Sequence, residues 1–557
     1  MAPRSQQVWE TTGRGANRMS AAKPLVILCA SAWFAMGGAC PAWSTKMALP
    51  SNGLPVAVPI EPAEHQPSRG MPPIEKLAQP GEQAQLAELL HSLGSEKGRD
   101  PKAILPILDG ILAKLTRPTM LRGFVQMTRA SVFEALERDA EATAAIEEAI
   151  RLLPDYSGPL MTAAAIYLYS NNPGLASDAI VRASEIDPEG VRQLPDYETS
   201  ALLRRLDAIR DEKRARILSD RLLAIGWTGS GVKSRSELAA MAIRKAVTDQ
   251  DVARARLLVP DLLDPEATYA LLADAKFKEI WPDIEKWAGP RLSVQWTMYL
   301  DEARKRWLAS SDLERGADYA AALRTAGHFD TLIAEFLPLY QKPLDGDRNW
   351  PLLFIAPKLV SALMAGGRID DALNVYRNAA KTWPIGSSAN ALNLYANEAT
   401  ALLYAGRPAE ALAKIDAAIQ DSHRWPGEIN VDAVAGMHLT RACALHELGR
   451  DAEATVSAMV AAQAGHARGQ ADVALCMGKP AEAKTALLKA FARPEERTSM
   501  IGFMQPEHLP VIPTSYGRRR RADEDALRHD PELVSAVTQF GRILPFTLSD
   551  GAPKSGQ

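Results

Sequence analysis

The segment 124–188 repeats one pattern of residues after an interval of 34. Six positions keep their chemical character: Ala130, Phe133, Ala142, Ile146, Ala149 and Pro154 recur as Ala164, Tyr167, Ala176, Ile180, Ala183 and Pro188. A fixed period in this range is typical of stacked helical repeats, each of which buries its apolar side only against its neighbours. A chain of 557 residues is also too long for one ordinary core. We therefore expect an extended array.

The spacing within each copy predicts two antiparallel helices. Small residues such as Ala142 stand where helix backbones come close, because a larger side chain would push the helices apart. The larger Phe133 and Ile146 are expected to fill the space between helices and between repeats. Pro154 follows the second helix and prevents its continuation.

The pattern returns in the C-terminal part of the chain. A recurring phrase marks the turn between helices: Gly-Arg-Pro-Ala-Glu-Ala-Leu at 406–412, Gly-Arg-Asp-Ala-Glu-Ala-Thr at 449–455 and Gly-Lys-Pro-Ala-Glu-Ala-Lys at 478–484. The alanines that begin the four second helices are Ala372, Ala411, Ala454 and Ala483, and a weaker copy surrounds Gly327. Glycine at these turns is expected to end the first helix of each repeat.

These residues resemble the tetratricopeptide repeat (TPR) family. The copies are degenerate, since Gln126 stands where the family has tryptophan or leucine early in the first helix. The resemblance implies an all-α fold, an α-solenoid of helix–turn–helix repeats in a right-handed superhelix. It also implies that the first helices line a concave groove for a peptide or protein segment. Six side chains would line this groove: Met127, Glu134, Tyr169, Thr400, Tyr404 and His446.

Residues 1–44 are expected to be an export signal. A region with four basic residues and one acidic residue ends at Lys23, and the uncharged, apolar stretch 24–39 follows, before small residues that suit a cleavage site at 42–44. A start at Met19 would give a more typical basic region. The expected location is the periplasm or outer envelope. The alternatives are an uncleaved anchor in the inner membrane, disfavoured by the short apolar run, and lipidation at Cys40.

The remaining chain divides by composition and by the clarity of the repeat. The expected divisions are a proline-rich linker at 45–80, an N-terminal array at 81–200, a divergent helical middle at 201–318, a C-terminal array at 319–492, and a capping helix and tail at 493–557. In the middle, periodicity predicts helices over 201–223, 236–247, 265–278 and 294–309. Four tryptophans there, Trp281, Trp287, Trp296 and Trp307, are interpreted as core residues. A final helix is expected to begin at Asp530-Pro531 and to cap the last repeat.

Two cysteines remain if the signal is removed. Cys443 and Cys476 could form a disulfide in an oxidising compartment. The alternative is that both are small buried residues on neighbouring helices.

No pattern for catalysis, a cofactor or a metal was found. The net charge of −3 argues against binding to nucleic acid or to an anionic membrane surface. The segment 226–233 resembles a phosphate loop, but its lysine comes one residue late and a helix precedes it. His438 and His446 lack a third ligand nearby. The basic run 518–521 is followed by three acidic residues, so a solvated or self-paired segment is expected.

Three functions remain. The first is a non-catalytic scaffold or adaptor in the bacterial cell envelope that binds a protein or peptide. The second is a structural component of an envelope assembly, such as surface-polysaccharide or transport machinery, that contacts partners by its convex faces or end caps. The third is an enzyme, which would need a deep polar cleft within 226–307.

Overall fold

The computed structural model describes residues 70–554 except for 193, 230, 311–312, 345–348, 426–428, 430 and 464–466. The expected export signal and most of the linker lie outside the described residues. By its internal contacts the chain forms two compact units, and the described residues of these are 70–229, the N-terminal unit, and 231–554, the C-terminal unit. The boundary falls inside the expected middle region.

The N-terminal unit is built of ten α-helices in its described part. These are α1 (Ile74–Leu77), α2 (Gln83–Gly94), α3 (Pro101–Lys114), α4 (Met120–Ala135), α5 (Asp139–Leu152), α6 (Ser157–Tyr169), α7 (Pro173–Ile186), α8 (Pro188–Arg192), α9 (Asp196–Ala208) and α10 (Glu212–Ala224). A short 3-10 helix, Glu96–Arg99, joins α2 to α3.

The described part of the C-terminal unit contains eighteen α-helices. Its first half has α11 (Val232–Thr248), α12 (Val252–Leu258), α13 (Pro265–Ala273), α14 (Trp281–Ala288), α15 (Ser293–Ser310), α16 (Leu313–Thr325) and α17 (Phe329–Tyr340). The second half has α18 (Leu352–Ala365), α19 (Ile369–Thr382), α20 (Ala389–Tyr404), α21 (Pro408–Ser422), α22 (Val431–Glu447), α23 (Asp451–Gln463), α24 (Ala467–Cys476), α25 (Pro480–Phe491), α26 (Pro494–Phe503), α27 (Ser515–Arg528) and α28 (Pro531–Phe540). The 3-10 helices are Val259–Asp261, Ala275–Ile280 and Pro290–Leu292.

Nine helical hairpins of the described chain share one kind of turn. The first helix ends at a residue with positive φ: Glu137, Asn171, Arg210, Gln250, Gly327, Gly367, Gly406, Gly449 or Gly478. The following N–H then returns to a carbonyl five residues earlier, as in Arg407 to Leu402 at 2.9 Å. This hydrogen bond closes the helix end in the Schellman manner. The fold is therefore an α-solenoid of TPR-like hairpins.

The repeat alanines lie where the sequence places them. The second-helix alanines have no solvent-exposed surface: Ala142, Ala149, Ala176, Ala183, Ala372, Ala411, Ala454 and Ala483. Phe133 and Ile146 are buried beside them. The absence of exposed surface is what close approach of helix backbones requires, and the predicted packing is confirmed.

The middle region is helical, as expected. The helices predicted over 236–247 and 294–309 are present as the slightly longer α11 and α15, whereas the other two predicted segments are interrupted. The segment 201–223 is two helices rather than one, because the chain reverses at Arg210, whose φ is 56°. The segment 265–278 ends as a 3-10 helix after Ala273.

The four tryptophans of the middle region pack within the C-terminal unit. The Trp296 side chain is fully buried. Each indole N–H donates to an oxygen of the protein: Trp281 to Leu271 O at 3.0 Å, Trp287 to Leu262 O at 3.1 Å, Trp296 to Leu548 O at 2.8 Å and Trp307 to Glu335 Oε2 at 3.1 Å. Buried indoles need such partners, and Trp296 is therefore a core residue as interpreted. Trp281, Trp287 and Trp307 are half-buried, with their N–H groups also satisfied by the protein.

A disulfide joins two neighbouring hairpins of the C-terminal unit. Cys443 on α22 and Cys476 at the end of α24 are bonded, with their Cα atoms 5.2 Å apart. This Cα distance is ordinary for a disulfide. The bond therefore fixes the spacing of two first helices.

The C-terminal residues return to earlier helices of the same unit. As predicted, α28 begins after an Asp530 N-cap, and it buries Leu533 and Val537 as it packs against α25 and α26. Residues 541–554 then lie along α13 and α15. Arg542 donates its N–H to Ala273 O at 2.8 Å, and Tyr269 donates to Phe546 O at 2.7 Å.

Candidate interaction face

The first helices α18, α20, α22 and α24 present one side of the C-terminal array, which we call the first-helix face. Helix α27 packs against α20 and α24 on this face. The residues before α27 approach it from the turn between α18 and α19, where Pro513 lies beside Gly367. A segment of the chain itself therefore lies where the repeats would hold a partner.

An aromatic contact fixes the beginning of α27. The rings of Tyr404 and Tyr516 meet edge to face with centroids 5.2 Å apart. Beside them, the Thr514 hydroxyl donates to the Tyr404 carbonyl at 2.6 Å. Burial raises the pKa of both tyrosines, so both remain neutral hydrogen-bonding groups.

Two ion pairs continue the contact along the next hairpins. Arg520 meets Asp472 of α24 at 2.6 Å, and the two side chains are only 12% and 19% exposed. Burial alone would lower the pKa of Arg520, but Asp472 and Glu524 outweigh it and raise the pKa. Arg519 pairs with Glu447 at the end of α22. The Arg520 pair is largely removed from water and is therefore stronger than a surface pair, whereas Arg519 is 54% exposed and its pair with Glu447 contributes less.

Other side chains of α27 contact residues of the same helix and of the stretch just before it. Arg528 pairs with Asp525 at 2.8 Å and with Glu507 at 3.1 Å. Arg521 donates to Leu509 O at 3.0 Å. Within the basic run 518–521, Arg520 pairs with Glu524 at 3.0 Å. The run is thus partly self-paired, as expected, while its Arg519 and Arg520 also bind the array.

The three groove residues predicted in the C-terminal array lie near this contact. Tyr404 is covered by α27, and the Thr400 hydroxyl bonds to that of Thr440 at 3.1 Å. His446 Nδ1 lies 2.7 Å from Asp451 Oδ1. The prediction that these side chains bind a partner stays a prediction.

The three groove residues predicted in the N-terminal array belong to the other unit. Met127 is buried within its hairpin, whereas Glu134 and Tyr169 are half-buried. Their role in binding also stays a prediction.

The residues that sequence reasoning missed are the acidic ones. Glu447 and Asp472 recognise the arginines of α27, yet they lie 72 and 48 residues before them in the sequence. Only the opposite charges of the two segments could have linked them, and such charges are common on helix surfaces.

The enzyme hypothesis required a deep polar cleft within 226–307. The cavity found there among α11, α15 and α16 is lined by Lys233, Tyr299, Arg306, Arg315 and Asp318. Its volume is about 10 Å³, which is room for roughly one water. This cavity does not support the enzyme hypothesis.

Two further features of the described residues bear on function. They contain no group of three histidine, cysteine or acidic side chains placed to hold a metal ion. Among their helices, none combines the length and apolar character that a membrane crossing requires.

The class defined by this fold is a TPR-like α-solenoid. No family model matches the chain, and no curated protein matches it either. Among solved structures, the TPR domain of P58(IPK) aligns with 15% identity over 74% of this chain and 99% of its own, with a TM-score of 0.20. The APC/C hetero-tetramer Cut9–Hcn1 aligns with 14% identity over 76% of this chain and 96% of its own, with a TM-score of 0.27. Naa15/Naa10 bound to HypK-THB aligns with 13% identity over 82% of this chain and 79% of its own, with a TM-score of 0.18. These TM-scores are too low to establish a shared overall fold, so the assignment to the class of TPR-like α-solenoids rests on the hairpin geometry.

Proposed function

We propose that the protein is a non-catalytic scaffold that binds a protein or peptide segment on its first-helix face. The observation that supports this most directly is α27 itself. Successive hairpins hold it through Tyr404, Glu447 and Asp472, so the face has the chemistry to bind a helical segment. Repeat arrays commonly use such extended surfaces for binding.

We further propose that the scaffold works in the cell envelope. The apolar segment 24–39 after a basic region favours export. The disulfide between Cys443 and Cys476 supports the same proposal, because disulfides persist mainly in oxidising compartments.

Site-specific photo-crosslinking tests the binding face. A photoreactive residue is placed at His446, beside the acidic Glu447, in cells that express the full chain. A matched position is Val456 on the second helix α23, which is 57% exposed. We expect crosslinks to another envelope protein from position 446 and none from position 456. No crosslink from position 446 would contradict the proposal.

One observation favours the alternative of a structural component. Val456 and Met459 lie one turn apart on α23 and are 57% and 55% exposed. Exposed apolar pairs of this kind can mark contact surfaces. Crosslinks from position 456 alone would favour this alternative. Deletion of α28 is a poor test, because it would uncover Leu533 and Val537, which pack against the last repeat.

A further inference from the structure

Residues 511–528, which we call the latch, lie on the first-helix face in the manner of a bound ligand. Three successive hairpins contact the latch through side chains: Tyr404 meets Tyr516 edge to face, Glu447 pairs with Arg519, and Asp472 pairs with Arg520. Each of these contacts joins the latch to a different first helix. None of the three contacts joins the two helices of one hairpin to each other.

Two of the three contacting side chains of the latch, Tyr516 and Arg520, lie on the buried side of α27. Residues 516, 520, 524 and 527 follow each other at intervals of four and three, so they share a helix face. All four are buried or half-buried, while Arg518 and Ala522 on other sides are exposed. Arg519, which pairs with Glu447, is also exposed. The recognised pattern is therefore an aromatic ring followed by two adjacent guanidinium groups.

We propose that the latch is an intramolecular competitor of the partner, and that the partner is a helical segment with the same chemistry. Such a segment carries an aromatic residue and, three or four residues later, a pair of arginines. This inference rests on the proposed function, since a competitor needs a partner to displace it. A tethered ligand has a high effective concentration, so the latch occupies the face most of the time. The apparent affinity of the chain for a partner is then reduced in proportion to the fraction of molecules whose latch is open.

Two substitutions release the latch without altering the face that holds it. A Cβ at Gly517 would lie 2.5 Å from the Ile512 carbonyl oxygen, so Gly517→Ala forces the start of α27 to shift. Arg520→Glu places a carboxylate opposite Asp472. The double variant, which we call the released chain, keeps Tyr404, Glu447 and Asp472 available.

The experiment measures fluorescence anisotropy with a labelled synthetic peptide of residues 511–529. We expect the released chain to bind this peptide at least tenfold more tightly than the wild-type full chain. Adding Asp472→Lys to the released chain should abolish binding, and a peptide with Arg520→Glu should restore it. A peptide with Arg518→Glu is the matched control and should bind the released chain like the original peptide, because Arg518 is exposed.

Three results would overturn the inference. They are no binding to a released chain whose helical circular dichroism equals that of wild type, equal binding to both chains, and no effect of Asp472→Lys. Failure here and failure of the proposed function are distinguishable. Crosslinks from position 446 without peptide binding would reject the latch and leave the proposed function standing. Peptide binding without any envelope crosslink would reject the proposed function and with it the competitor role, and would leave only the binding of the latch to the first-helix face.

Discussion

The residue with positive φ at each hairpin turn can be tested by a glycine-to-alanine substitution. This substitution should destabilise the chain at the turn but stabilise it within a helix. Gly406 ends α20 with φ of 75°, and a Cβ added to it would have no atom within 4 Å. Gly406→Ala therefore changes the backbone preference and nothing in the packing. The left-handed conformation costs a residue with a Cβ roughly 1–2 kcal/mol. The lower entropy of the unfolded alanine chain offsets about 0.4–1 kcal/mol. We expect a net loss of about 1 kcal/mol.

Gly436 within α22 is the matched control. It too has no atom within 4 Å of an added Cβ, and its φ is not positive. Gly436→Ala should therefore stabilise its helix by about 0.5–1 kcal/mol, because alanine loses less backbone freedom than glycine. The same chemical change thus has opposite signs at the two positions.

Native-state hydrogen exchange is the suitable assay, because a chain with two units need not unfold in one step. The Arg407 amide, which donates to Leu402 O at 2.9 Å, reports on the turn directly. A loss of about 1 kcal/mol corresponds to roughly fivefold faster exchange in α20 and α21. Equal exchange rates for Gly406→Ala and wild type, or a change in stability of the same sign at both glycines, would show that the left-handed conformation does not set the preference for glycine at this turn.

Three further predictions concern the disulfide, a buried carboxyl and export. Cys476→Ser should lower the free energy of unfolding of α22 to α25 by about 3–4 kcal/mol, because it opens a loop with a sequence separation of 33; denaturant titration checks this, and unchanged stability would contradict it. Burial raises the pKa of Asp264 from 3.8 to about 6 against the opposing effect of Lys233, so ionisation of this one carboxyl should destabilise the folded state as pH rises from about 4 to about 6. Asp264→Asn keeps an oxygen that can accept from the Glu266 N–H at this N-cap. The free energy of unfolding of this variant relative to wild type should rise by up to about 3 kcal/mol across that range. A difference in the free energy of unfolding that stays constant from pH 4 to pH 7 would exclude this effect. N-terminal sequencing of protein from the periplasm should find a start after Ser44, and an intact start at Met1 or Met19 would instead favour the anchor.

The hairpins that the sequence identified are mostly those that carry an obvious marker. Gly406, Gly449 and Gly478 supply the left-handed residue with the amino acid that favours it, so the turns were visible in the sequence. Arg210 and Gln250 adopt the same conformation without glycine. The hairpin at Arg210 therefore merged into the long periodic stretch 201–223, and its break was not predicted. The helix that follows Gln250, α12, was not predicted either.

The candidate face was predictable only in part. The repeat period indicates which helices come first in each hairpin, and hence the side on which Tyr404 lies. Occupation of that side by α27 depends on pairs such as Asp472 with Arg520, which are distant in sequence. Arg520 also has Glu524 one turn away at 3.0 Å, so local self-pairing was an equally good interpretation of its charge.

The most direct test of the account compares crosslinking from position 446 in the wild-type and released chains within cells. Partner binding on the first-helix face and displacement of the latch together predict a several-fold higher yield of the same envelope crosslink from the released chain. An equal yield from both chains would contradict the claim that partner and latch share one face.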